Sequence, residues 1–342
     1  MNGYEVKTHA AIGDVLHDII SLARVSFAQY EGVIAVDEEF MRWYLSRPGM
    51  SSEHCFAGVH KGRIVSNALV TTSRVQFGGK ALDVGMVDTV MTHPDHRRKG
   101  LARKVLTAAL DFMRGSDLDA SQLYTGADSM PQRLYESLGY REYTRVRYYI
   151  QHEQQRFNLL AARSHNGEHR QAPGPVRACK PTDVSALRRF LDQWFKNHDG
   201  YMPLDDDLWV WRRERRPKTL PAATYVLTDE AGEIQATATL ASAPLLAARK
   251  TEIMTGILDF AASEDVARAF FGHIAAIAPI GGSLVVASGV VNESLNRLCE
   301  SCGFTCMALE VAMVKPFSEK AKSALAAEPA RWYTATESLI GI

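Results

Sequence analysis

Five cysteines in 342 residues are too few for the disulfide framework of a small secreted domain. Neither charge sign is in surplus: Lys+Arg and Asp+Glu both number 39, so no global field recruits nucleic acid or an anionic membrane surface. No apolar run is long enough to span a bilayer. The greasiest region, Val266 to Val291, is broken by Arg268, His273, Pro279 and Gly281-Gly282. No secretory segment opens the chain. Cys299-x2-Cys302-x3-Cys306 begins like a metal site but has no second Cys or His pair nearby, so buried reduced thiols and no metal are expected. These absences predict a cytoplasmic protein that acts on neither nucleic acid nor membrane; a homodimer stays open. With 46% hydrophobic and 23% charged residues, the chain is globular and has room for two domains.

The most informative stretch runs from Asp83 to Leu110, DVGMVDTVMTHPDHRRKGLARKVLTAAL. Apolar residues of both parities between Leu82 and Met91 predict an interior strand. His93-Pro94-Asp95 ends it. Leu101, Val105, Leu106, Ala109 and Leu110 then fall at helical spacing behind Arg97-Arg98-Lys99-Gly100. A helix start offers unpaired N–H groups and partial positive charge, Gly100 permits close backbone approach, and the cations attract phosphate. The stretch suits a pyrophosphate. It is not a P-loop, since no Gly-Lys-Ser/Thr follows, and it lacks the glycine spacing of a dinucleotide fingerprint.

The order Arg97-x-x-Gly100-x-Ala102 after a strand and a His-Pro turn resembles the acetyl-coenzyme A loop of the GCN5-related N-acetyltransferases (GNAT). A second motif follows: the strand Leu123 to Asp128, a helix from Ser129 to Leu138, and Gly139-Tyr140. It is similar to the family's Asn-x-x-Ala-x-x-x-Tyr followed by Gly-aromatic, with Tyr135 in the tyrosine position and Asp128 and Pro131 where Asn and Ala are usual. The resemblance implies an α/β fold with a mixed sheet and acetyl-coenzyme A as co-substrate, without a metal. It implies cofactor contacts at Val90, Met91, Thr92, Arg97, Arg98, Lys99, Gly100, Leu101, Ala102, Arg103 and Asp128, with Tyr135 protonating the departing thiolate. The loop between the first two helices forms one wall of the acceptor site in this family, which places Phe27, Tyr30 and Glu31 there, near Asp37, Glu38 and Glu39. An acidic, aromatic rim suits an amine. Attack by that amine requires loss of a proton, and Asp88 on the central strand is the sequence candidate for the base; pairing with Arg74 or Arg147 is the structural alternative.

Residues 1–152 accommodate one such catalytic unit, with strands over 4–10, Cys55 to Val59, Arg63 to Val75 and Arg141 to Gln151, and helices over Ile12 to Tyr30 and from Asp37. Residues 153–175 are polar, end in Pro173-Gly174-Pro175 and form a linker. Residues 176–342 resemble a degenerate second unit: Leu284 to Ser288 and Asn292 to Phe304 echo the tyrosine motif with Cys299 at the tyrosine position, and no Arg-x-x-Gly-x-Ala lies between Phe260 and Ser263. The combination is similar to the enhanced-intracellular-survival acetyltransferases. Mycothiol synthases also carry two units, but their second unit is the active one. The expected function is transfer of an acetyl group to a small-molecule primary amine; a protein lysine or N-terminal acetyltransferase and a non-catalytic coenzyme A sensor are the alternatives.

Overall fold

A computed structural model describes residues 3–28, 33–34, 36–155, 174–247, 250–279 and 281–334. The first half runs β1 (Tyr4–Thr8), α1 (His9–Ile12), α2 (Leu16–Phe27), β2 (Val33–Ile34), α3 (Glu38–Leu45), β3 (Phe56–His60), β4 (Arg63–Phe77), β5 (Lys80–Thr92), α4 (Leu101–Gly115), β6 (Ala120–Gly126), α5 (Met130–Ser137), β7 (Arg141–Gln151). The second half follows that order, without counterparts of α1 and β2 among the described residues: β8 (Val176–Ala178), α6 (Val184–Phe195), α7 (Asp206–Trp209), β9 (Ala222–Thr228), β10 (Ile234–Ala247), β11 (Lys250–Ala262), α8 (Glu264–Ile277), β12 (Gly282–Gly289), α9 (Glu293–Ser301), β13 (Thr305–Pro316), with α10 (Glu319–Ala324) added.

The expected strand over 4–10 stops at Thr8, and the first helix is split. Gly13 sits at φ +94° and ends α1 after one turn, a conformation that costs glycine little. His9 is drawn inward, where its Nε2 lies 2.8 Å from Asn67 Oδ1.

All described strands join one mixed sheet, in the order β1-β3-β4-β5-β6-β13-β7-β12-β11-β10-β9-β8, with β2 against β10. The halves exchange their last strands. β13 lies between β6 and β7, antiparallel to both, and β7 pairs with β12 and β13 alone among the described strands. The two series of elements are therefore one hydrogen-bonded body.

Side chains alternate across this sheet. On one face of the first half, Val87, Leu123, Val311 and Met313 pack under Val105, Leu106 and Ala109 of α4 and Tyr135 of α5. On the other, Leu82, Val84, Ala312 and Val314 pack against Ala321 and Trp332, while α2 and α3 cover Leu69 and Met91. Trp43 of α3 stacks on Trp211 with ring centroids 4.5 Å apart. Each indole donates to the other residue's carbonyl, at 3.1 and 2.9 Å. This reciprocal contact binds the halves a second time, with both N–H groups satisfied.

Candidate active site

The site is built where β5 breaks its pairing. Asn67 of β4 faces Met91, but Leu69 faces Asp88, so Thr89 and Val90 together oppose Ala68. This is a β-bulge. Thr89 takes φ +49°, a region unfavourable for a β-branched residue, and Asn67 Nδ2 holds its carbonyl at 3.0 Å. On its other side, β5 pairs with β6 only from Val84↔Ala120 to Met86↔Gln122. Beyond those residues the strands part, leaving a wedge walled by Val90, Met91 and Thr92 on one side and Tyr124 to Gly126 on the other.

The loop after β5 points into the mouth of that wedge. Pro94–His96 makes a 3₁₀ turn, then Arg98 at φ +62° and Gly100 at φ +72° alternate with ordinary residues. Successive N–H groups in such alternating conformations converge on one point and form an anion nest. No side chain caps α4, and its first N–H groups follow directly from Gly100, so nest and helix end reinforce each other. A Cβ on Gly100 would meet nothing within 4 Å; the glycine is required by its φ and by close ligand approach, not by packing.

The expected cations divide into two kinds. Arg97 turns back into the protein, donating to Thr92 O and Ser26 O at 3.2 Å each, and so fastens α2 to the end of β5. Lys99 bonds Tyr4 Oη and Asp95 O, and Arg103 reaches Ser137 Oγ at 2.7 Å on α5. Arg98 is exposed, with no partner among the described residues. Leu101, the first residue of α4, is buried, and Ala102 follows half-buried.

Tyr135 is 6% exposed and sits edge-on to Tyr140 at 6.0 Å. Burial raises its phenol well above the usual tyrosine range, which keeps it protonated and able to donate. Asp128 stands at φ +58°. Its backbone N–H donates to Gln132 Oε1 at 2.7 Å, while its side chain is 82% exposed and 3.9 Å from Arg145. The position is a rim residue capped by its own helix.

Asp88 is paired, but not to the arginines weighed from sequence. Arg74 lies against Asp83 and Arg147 against Tyr149. Arg47, buried just beyond the end of α3, forms the ion pair with Asp88 and also bonds Thr71 Oγ1 at 2.5 Å. Thr89 Oγ1 donates to Asp88 at 2.7 Å, and the Tyr44 hydroxyl adds a further bond. Burial raises the Asp88 pKa, and Arg47, Thr89 and Tyr44 oppose that rise. Phe27, the last residue of α2, packs half-buried against the core shared with α3; Tyr30 and Glu31 lie outside the described residues. Asp37 caps α3 through Phe40 N at 2.7 Å and Glu38 pairs with Arg42 at 2.6 Å, so both serve the helix they begin.

Sequence reasoning missed Tyr148 and Glu310, whose side chains meet at 2.6 Å beside the wedge. The available signal was a carboxylate inside the apolar strand Ala308-Leu309-Glu310-Val311-Ala312.

The second half keeps the wedge and loses the cradle. Asp259 and Phe260 oppose Ala238 in a matching bulge, with Asp259 at φ +51°, and β11 pairs β12 only up to Gly256↔Val285. A single residue, Ser263, separates β11 from α8, whose first turn carries Glu264 and Asp265. That acidic, loop-free start repels a diphosphate. Asp259 is bound by Arg213 and by Tyr333 Oη at 2.6 Å. A cavity of about 780 Å³ remains in this cleft, crossed by the chain's own segment Ala330 to Thr334. Asn292 grips the Trp332 peptide with both amide atoms, accepting from its N–H at 2.9 Å and donating to its carbonyl at 2.6 Å. Cys299, at the tyrosine-equivalent position, is fully buried with its thiol pushed up. Among the described residues no three His, Cys, Asp or Glu side chains gather as metal ligands, and no helix is long and apolar enough to cross a membrane.

Residues 9–143 match the family model "Acetyltransferase (GNAT) domain". That stretch contains the bulge, the nest and Tyr135. Residues 9–143 form an acetyltransferase (GNAT) domain, and the protein is an acyltransferase. The fold is shared with solved structures of low identity. Saccharomyces cerevisiae N-myristoyltransferase with bound myristoyl-CoA superposes with a TM-score of 0.72 at 12% identity, over 96% of this chain and 80% of that one. A GCN5-related N-acetyltransferase from Anabaena variabilis gives 0.66 at 15%, over 95% and 75%. A protein of Enterococcus faecalis described as a probable N-acyltransferase gives 0.63 at 14%, over 93% and 74%. No curated protein matches the chain.

Proposed function

We propose that the GNAT half moves the acetyl group of acetyl-coenzyme A to the primary amine of a small molecule by direct attack in a ternary complex. The observation that carries this reading is the anion nest at Arg98 to Gly100 opening onto the bulged wedge. The nest and the first turn of α4, with Leu101, Ala102 and Arg103, take the diphosphate, and Arg98 supplies the unengaged cation. Backbone groups of Val90, Met91 and Thr92 align the thioester and polarise its carbonyl. Tyr135, kept protonated by burial, hands a proton to the leaving thiolate. Asp88 stands beside the bulge as the sequence candidate for the base, but its engagement by Arg47 suits it better to fixing the bulge. The second half, without a cradle, braces the first, an arrangement of the enhanced-intracellular-survival kind. Five unpaired cysteines suit a reducing cytoplasm.

The test is coenzyme A release over aminoglycosides, polyamines, amino acids and peptides. An accepting amine is expected, with Tyr135→Phe slowing turnover by about 10²–10⁴-fold. An unchanged rate in Tyr135→Phe overturns its acid role, and coenzyme A binding without release on any amine overturns the transfer reading.

A further inference from the structure

The exchange of last strands brings a carboxylate of the second half into the sheet of the first. Glu310 of β13 faces Gly126, the last residue of β6, on one side and Val146 of β7 on the other. It therefore stands one strand from the wedge, at the end where the wedge is open. Its parity is that of Ala312 and Val314, which pack on Trp332, and opposite to that of Val311 and Met313 under α4 and α5. Glu310 thus belongs to the face turned away from the diphosphate helix, the face of Met86, Tyr124 and Tyr148.

We propose that Glu310 is the general base of the acetyl transfer, provided in the first-half site by the last strand of the second half. The proposal rests on the amine reading above.

Three observations support it. Glu310 is half-buried rather than sealed, so a substrate can touch it. No cation pairs with it among the described residues. The groups around it are phenols: Tyr148 Oη of β7 donates at 2.6 Å, and Tyr124 of β6 lies beside Tyr148. Burial raises the Glu310 pKa while the Tyr148 bond restrains the rise, moving the carboxyl toward the pH at which it can exchange protons with an ammonium. Asp88, the alternative, is committed to Arg47.

In the step so assigned, Glu310 takes one proton from the bound ammonium. The freed lone pair forms the C–N bond to the thioester carbonyl, and collapse breaks the C–S bond. The thiolate takes the Tyr135 proton. The second proton lost by nitrogen restores Tyr135, and Glu310 returns its proton to water.

The experiment uses the full chain and the amine found by the screen. Glu310→Gln keeps an acceptor for the Tyr148 hydroxyl, so unchanged thermal melting and unchanged acetyl-coenzyme A binding are expected. Its kcat/KM should fall by about 10²–10⁴-fold with loss of the acid limb of the pH profile. Hydroxylamine, unprotonated at neutral pH, should be acetylated at close to the wild-type rate. Tyr148→Phe removes the bond that favours the carboxylate, and should move the acid limb to higher pH. A Glu310→Gln enzyme with full rate and intact acid limb overturns the proposal, as does a loss equal for hydroxylamine and amine at every pH, which marks a structural role. Should Glu310→Gln not fold, an unmoved limb in Tyr148→Phe overturns it. Absence of any accepting amine for the wild-type chain is the separate failure of the transfer reading itself.

Discussion

Arg47 and Asp88 form a buried pair whose worth lies in what remains when one partner is removed. Arg47 is 4% exposed at its side chain and holds Asp88, Thr71 and the Tyr44 ring at once. Arg47→Met strands the carboxylate and should cost about 3–5 kcal/mol, read by chemical denaturation. The double change Arg47→Met with Asp88→Leu should recover most of that loss; equal destabilisation in the double variant would show that packing rather than charge dominates. Tyr135 and Gly100 were legible because each belongs to a short local pattern. Asp88 was legible as an unusual charge on an apolar strand. Its partner was not, because Arg47 is forty-one positions away and follows a helix whose placement over β5 no local pattern states.

At the scale of elements, strand β5 and helix α4 follow from hydrophobic period and the Pro-Gly punctuation between them, and their observed limits differ little from those expected. The bulge has no such signal. Thr89 is an unremarkable strand residue in sequence, and only the register between Asn67 and Leu69 forces it to positive φ. The splitting of the first helix follows from Gly13, whereas the inward turn of His9 depends on a tertiary bond to Asn67. The same asparagine fixes the Thr89 carbonyl, so one side chain of β4 sets both the chain entry and the bulge. In the second half the bulge persists although the cradle is gone, consistent with a strand geometry maintained by the sheet rather than by a ligand.

Over the whole molecule, the repeat was visible in sequence but the exchange of strands was not, because β7 and β13 have similar alternating patterns and no local signal states with which half each pairs. The consequence is mechanical. Strand β7 has both its neighbours in the second half, and β6 takes β13 as its outer neighbour. A fragment ending at residue 152 therefore leaves β7 with neither neighbour and β6 with an open edge, an invitation to aggregation. It should be insoluble or melt without cooperativity, and adding the separately made remainder, residues 153–342, should restore a folded complex. A soluble, cooperatively melting, acetyl-coenzyme A-binding fragment would contradict the exchange. The account depends on a single cradle in this joined sheet, and calorimetric titration of acetyl-coenzyme A into the full chain tests it most directly. One equivalent should bind, weakened about tenfold or more, at least about 1.4 kcal/mol, by Gly100→Val and unaffected by Arg268→Ala in the second cleft. Two equivalents, or one that ignores Gly100→Val and is lost with Arg268→Ala, would contradict it.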